Sequence, residues 1–268
     1  MKYPIGIQNF EKIRREGYVY VDKTDLMYQL VNEGSYYFLS RPRRFGKSLL
    51  ISTLEAYLSG KEELFKGLAI ERLEKDWTAY PVLHMDLNSR NYVNEEALQQ
   101  ELRKHLELWE DKYGRQYRDR AIEERFYHIV RLAYEKTGKR CVILVDEYDK
   151  PLLQTLNNES LQNAYRATLK AFYSVLKTQD QYIKLAFLTG VTKFGKVSVF
   201  SDLNNLIDLS MDERYQPLCG ITEAEIHRYF EESVKDLAGH NHISYEDALA
   251  RLARDYDGYH FAAEGEGV

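Results

Sequence analysis

The run Tyr36 to Leu50, YYFLSRPRRFGKSLL, constrains this chain more than any other stretch. Mostly apolar residues give way to a cluster of cations that closes on Gly46-Lys47-Ser48, and Leu49, Leu50, Leu54 and Leu58 then recur at helical spacing. That order predicts a strand, a loop and a helix from Lys47 to Leu58. Such a loop meets closely spaced negative charges with backbone N–H groups, the positive end of a helix and one lysine. The chemistry it suits is phosphate binding.

A second stretch, CVILVDEYD from Cys141 to Asp149, supplies what that loop lacks. Five apolar residues predict a strand covered on both faces, and Asp146 and Glu147 follow at its carboxyl end, where ligands bind in open α/β sheets. The full phosphate-loop pattern is GxxxxGK[ST]; its last three residues are present, but Arg41 stands where the first glycine belongs. A preceding strand and a following amphipathic helix restore the motif. The expected roles are Lys47 on the β/γ-phosphates of ATP, the Ser48 hydroxyl and Asp146 on Mg²⁺, and Glu147 polarising the attacking water. Arg43, Arg44, Phe45, Gly46 and Leu49 complete the expected nucleotide cradle. Arg41, Arg43 and Arg44 are open to three uses: phosphate contact, pairing with acids, or an exposed face. The Asp146–Lys150 run does not fit a D/E-x-K nuclease signature, because Tyr148 stands two residues before Lys150.

The rest of the chain alternates apolar runs with helical patterns. Strands are expected at Ser35–Ser40, Pro81–Leu87, Cys141–Val145, Tyr182–Leu188 and Leu206–Leu209. Helices are expected at Asp25–Asn32, Asn94–Tyr113, Ala121–Thr137 and Leu161–Leu176, and from Thr222 onward, where Thr222-Glu223-Ala224-Glu225 reads as a capping box. Tyr18, Tyr20 and Val21 alternate like a small strand. The pattern predicts an α/β P-loop NTPase fold: a mostly parallel five-stranded sheet covered by helices on both faces, plus a small C-terminal helical subdomain. The expected division is 1–34, an N-terminal element; 35–215, the core; and 216–268, the helical part, which stops awkwardly after Tyr256-Asp257-Gly258-Tyr259-His260-Phe261. At the end of the fourth strand, Thr189 either senses the γ-phosphate and orients water or satisfies a strand-end backbone group. Lys193, Lys196 and Arg214 are alternative cations for completing the site, in cis or from a neighbouring subunit.

Composition excludes several classes. A net charge of −5 leaves any nucleic-acid contact to a local patch rather than the whole field. Cys141 and Cys219 lie far apart without metal-ligand spacing, no apolar stretch approaches the roughly 20 residues of a membrane span, and the amino terminus lacks a secretion signal's apolar core. A cytoplasmic protein is expected. The 22 tyrosines are spread over every predicted element, which suits packing better than a base-stacking platform.

PIGIQNFEKIRREGYVYVDKTDLMYQLV, FLSRPRRFGKSLLISTL, ILVDEYDKPL, FLTGVTKFGKVSVFSDLNNL, LCGITEAEI and YDGYHF occur in this order along nearly the whole chain. Together they resemble the predicted AAA-ATPase-like family, which is similar to the signal-transducing and archaeal ATPases. The resemblance implies that the Arg-Pro-Arg-Arg-Phe loop is a family trait. It further implies that Asp22, Lys23 and Thr24 lie near the nucleotide on its adenine side. Members continue beyond YDGYHF into more helical structure and a PD-(D/E)XK nuclease-like domain, so an effector acting on DNA is an implied partner; a homo-oligomer is a separate expectation. Two readings follow: an ATPase that switches or drives such an effector, or a nucleotide-gated scaffold with negligible hydrolysis.

Overall fold

The computed structural model describes residues 1–193, 199–201, 203 and 205–256. Five strands, β1 (Tyr36–Ser40), β2 (Val82–Asp86), β3 (Cys141–Asp146), β4 (Ile183–Gly190) and β5 (Ile207–Asp208), form one sheet in the order β2-β3-β4-β1-β5, every pair parallel. Alternation along each strand divides the core in two. Tyr36, Phe38, Ile143 and Val145 face one side, where they pack with α5 (Glu95–Tyr113), α6 (Ile122–Thr137) and α8 (Glu159–Thr178). Tyr37, Leu39, Val142 and Leu144 face the other, against α1 (Phe10–Arg15), α2 (Thr24–Glu33), α3 (Lys47–Leu58) and the single turn α4 (Ile70–Leu73).

Strand order decides which helix covers which face. From β1 the chain passes through α3 to the far edge at β2, then steps back through β3 and β4, and right-handed crossovers in opposite directions place their helices on opposite faces. The reversal falls between β1 and β4. Their carboxyl ends, Ser40 and Gly190 in register, therefore open the crevice in which such sheets bind ligands.

The amino-terminal segment corrects one expectation. Residues 18–21 have no regular secondary structure and pair with no strand, and the ordered element is α1, capped by the Asn9 side chain accepting from Lys12 N at 2.7 Å. Phe10 and Ile13 are fully buried, and the Phe10 ring meets Tyr20 edge-on with centroids 5.0 Å apart. Tyr20 alternates in sequence because it reaches into that core, not because it sits in a ladder. After a short helix α7 (Lys150–Gln154) and the fifth strand, the chain ends its described course in a hairpin of α9 (Glu223–Asn241) and α10 (Tyr245–Tyr256). The Thr222/Glu225 capping box is present, and the hairpin buries a core of its own around Val234, Ala238 and Ala248. Among the described residues no helix is long and apolar enough to cross a membrane.

Candidate functional site

The loop between β1 and α3 is built around two left-handed residues, Arg44 at φ 70° and Gly46 at φ 88°. Glycine occupies this conformation without a Cβ clash, and Gly46 opens α3 by accepting from Leu50 N at 2.9 Å. Lys47 follows, with only 4% of its surface exposed, and its Nζ donates to Arg41 O at 3.0 Å and Pro42 O at 3.2 Å. The same ammonium lies 3.3 Å from Glu147 Oε1. Ser48 is half-buried in the first turn of α3, Arg43 and Arg44 are exposed, and Phe45 and Leu49 pack partly into the core beneath the helix.

Arg41 leaves the phosphate side. It is 1% exposed, and its Nη1 donates to Ser40 O at 3.0 Å and Ser210 O at 2.9 Å, so it fixes the loop to the turn after β5. Burial lowers its pKa, with Cys219 and Asp208 opposing. A large side chain takes the place of the usual glycine because it is folded back into the protein.

At the opposite wall of the crevice, Asp146 ends β3 and Thr189 lies near the end of the adjacent β4, both buried. The Thr189 hydroxyl donates to Asp146 Oδ1 at 2.5 Å and lies 3.4 Å from Val145 O. Glu147, next along, stands at φ 55°, a conformation that costs a non-glycine residue about 1–2 kcal/mol. That turn sends its carboxylate toward Lys47. Burial pushes the Glu147 carboxyl above its usual range, Asp146 and Asp149 push the same way, and Lys47 offsets them only in part. A carboxyl of raised pKa is better matched to accepting a proton near neutral pH than a solvated one.

Two contacts escaped sequence reasoning. Asp149 is fully buried, and its carboxylate accepts from Val191 N, from Thr192 N at 2.8 Å and from Thr192 Oγ1 at 2.9 Å. Gly220 N donates to Phe45 O at 3.0 Å, so the approach to α9 is tied to the loop itself. No local spacing announces either contact.

Asp22 and Lys23, which the resemblance puts on the adenine side, are hydrogen-bonded within the protein. The Asp22 carboxylate accepts from Thr24 N at 3.0 Å, Thr24 Oγ1 at 2.7 Å and Ala69 N at 2.7 Å, while Lys23 Nζ pairs with Glu225 at 2.7 Å. Their polar atoms are engaged with protein groups. They join the amino-terminal element to α4 and α9. Of the candidate cations, Lys193 pairs with Asp208 at 3.1 Å and Arg214 with Asp212 at 2.7 Å, and Lys196 lies outside the described residues.

A parallel sheet with a Gly-Lys-Ser loop leaving β1, and with an Asp-Glu pair leaving a strand one position removed across β4, defines a P-loop-like α/β protein. The chain belongs to the family described as "Predicted AAA-ATPase", which matches residues 4–200. It is also 43% identical over 231 residues to an uncharacterized protein in the vnfD 5' region of Azotobacter chroococcum mcd 1. That match takes in 85% of this chain and 45% of the relative, so the chain spans about half the relative's length. No solved structure matches. Family membership points to ATP binding and hydrolysis.

Proposed function

We propose that this chain is a Mg²⁺-dependent ATPase module. The observation that carries the reading is the convergence at the β1/β4 crevice. There Lys47 Nζ sits 3.3 Å from the Glu147 carboxylate, and Thr189 holds Asp146 beside them. Nucleotide phosphates would draw Lys47 from the Arg41 and Pro42 carbonyls and from Glu147. The glutamate is then free to accept the proton of an attacking water, while the loop N–H groups and Lys47 meet the phosphate charge.

The donor set suits a hard divalent ion. Ser48 and Asp146 offer one hydroxyl and one carboxylate, and among the described residues no cluster of three or more His, Cys, Asp or Glu could hold a metal. Mg²⁺ is commonly held by one or two protein oxygens together with substrate phosphates, and bound there it would neutralise phosphate charge. Arg43, Arg44, Phe45, Gly46 and Leu49 would line the loop around the phosphates.

The larger role is inferred from length. The matched relative is more than twice as long as the aligned region, which leaves room for a further effector part that this module switches or drives; its nuclease-like character and action on DNA are taken from the family resemblance. The division into 1–34, 35–215 and 216–268, a homo-oligomeric assembly and a cytoplasmic setting belong to the same proposal. A nucleotide-gated scaffold with negligible turnover is the second reading, in which Glu147 keeps its pairing with Lys47.

Phosphate release measured beside calorimetric nucleotide binding separates the two. The ATPase reading expects turnover in the wild type, loss of binding and turnover in Lys47→Ala, and binding without turnover in Glu147→Gln. Tight binding with no phosphate release in the wild type leaves only the scaffold.

A further inference from the structure

Of the four residues Asp146 to Asp149, three are fastened to the end of β4. The Asp146 carboxylate takes the Thr189 hydroxyl at 2.5 Å, Tyr148 N donates to Thr189 O at 2.9 Å, and the Asp149 carboxylate gathers Val191 N, Thr192 N and Thr192 Oγ1. Only Glu147 turns away, at φ 55°, toward Lys47. A left-handed glutamate persists when its surroundings over-determine it.

Asp149 is the far clamp. It stands at the amino end of α7 yet makes no side-chain cap bond there, so its carboxylate is committed to the segment after β4 rather than to its own helix. Burying a carboxylate is costly unless hydrogen bonds compensate it, and the backbone after Thr189 supplies them. Gly190 makes this approach possible. A Cβ at that position would lie 2.5 Å from Tyr148 Cε1 and 2.8 Å from Asp149 Oδ1.

We propose that Asp149 is a positioning residue for hydrolysis: by locking residues 190–192 to the turn after β3, it fixes Thr189 and the direction of Glu147. The proposal rests on the ATPase reading. Asp149 touches neither nucleotide nor water in this account. Its removal disturbs the step after binding more than binding itself, because the phosphate-binding loop belongs to β1 and α3 and meets the clamped segment through the backbone bond from Arg41 N to Gly190 O at 3.1 Å.

The test is Asp149→Asn, which keeps shape and volume but removes the negative charge that the three donors share and puts an NH₂ in place of one of the two acceptor oxygens. In the variant kcat falls about 10- to 100-fold while the nucleotide Kd stays within about threefold, the split expected of a misplaced catalytic geometry. Hydrogen exchange shows loss of protection at the Val191 and Thr192 amides with α8 unchanged. An unchanged kcat beside an active wild type overturns the proposal and leaves the ATPase reading standing. A kcat and Kd that both worsen in step with a loss of folded protein reduce Asp149 to a fold residue and also overturn it. Where Asp149→Asn does not fold, Thr192→Val removes one donor to the same carboxylate. A smaller kcat loss at constant Kd supports the proposal, and no loss overturns it. A wild type that does not bind nucleotide overturns the ATPase reading and this one together, whereas binding without turnover removes the step assigned to Asp149.

Discussion

Two buried ion pairs in this molecule have the same chemistry and opposite character. Arg125 on α6 grips Glu110 on α5 through two bonds of 2.7 and 2.9 Å, Arg118 adds a third at 2.9 Å, and both members of the pair are almost completely buried. Lys47 and Glu147 meet through one contact of 3.3 Å, with the lysine shared among two loop carbonyls and the glutamate on a left-handed backbone. The first pair is bidentate and joins two helices packed by their apolar faces. The second is held by groups that a phosphate could replace. One fixes a helix pair, and the other keeps a binding loop ready.

The largest expected effect breaks the exchangeable pair. Lys47→Ala removes the charge that meets phosphate and should abolish both nucleotide binding and turnover, read by calorimetry and phosphate release. Glu147→Gln keeps binding and should lower kcat by about 10²- to 10⁴-fold, the range of a lost general base. The bidentate pair should fail differently. Arg125→Ala leaves Glu110 buried without its main partner and should cost about 3–5 kcal/mol in denaturant unfolding, with activity per folded molecule unchanged. An activity loss at full stability would erase the distinction between the two pairs.

Smaller effects sharpen it. Gly190→Ala forces a methyl against the Tyr148 ring and should cost about 1–3 kcal/mol by overpacking, measured as a lower unfolding midpoint. A third pair, His84 Nδ1 with Glu55 Oε2 at 2.8 Å, lies between β2 and α3 and is more exposed than either. Burial opposes the His84 charge, but the hydrogen bond and charge of Glu55 outweigh it and raise the His84 pKa. The His84 bond in turn lowers that of Glu55 against its own burial. The histidine contribution is full below its ordinary value of 6.5 and fades as pH rises through the raised pKa. The glutamate contribution is full above 4.5 and fades as pH falls through the lowered one. His84→Asn should therefore narrow the stability difference from wild type outside the window of pH 4.5 to 6.5, followed by thermal unfolding across pH.

Much of this was legible in the residues. The β1-loop-α3 unit, the apolar β3 with its terminal acids, the short fifth strand and the Thr222 capping box are local patterns, and local φ and side-chain periodicity carry them. The helix at Phe10–Arg15 was missed because it is only six residues long and its apolar side chains, Phe10 and Ile13, do not make a repeating pattern. Asp149 was unreadable for another reason: its partners lie 42 and 43 residues away. The bond between Lys23 and Glu225 spans 202 residues. The use of Arg41 stayed open because sequence shows its charge and not the direction of its side chain.

The sequence by itself determined the strands and long helices of the core, where the chain can turn at Gly46, and which acids follow β3, since each depends on a residue and its near neighbours. Strand order was decided only in three dimensions. Placing β4 between β1 and β3 sets Thr189 against Asp146, turns Asp149 onto the backbone beyond it and leaves Glu147 facing Lys47. A buried polar group must find a partner, and which partner it finds depends on what the sheet brings beside it.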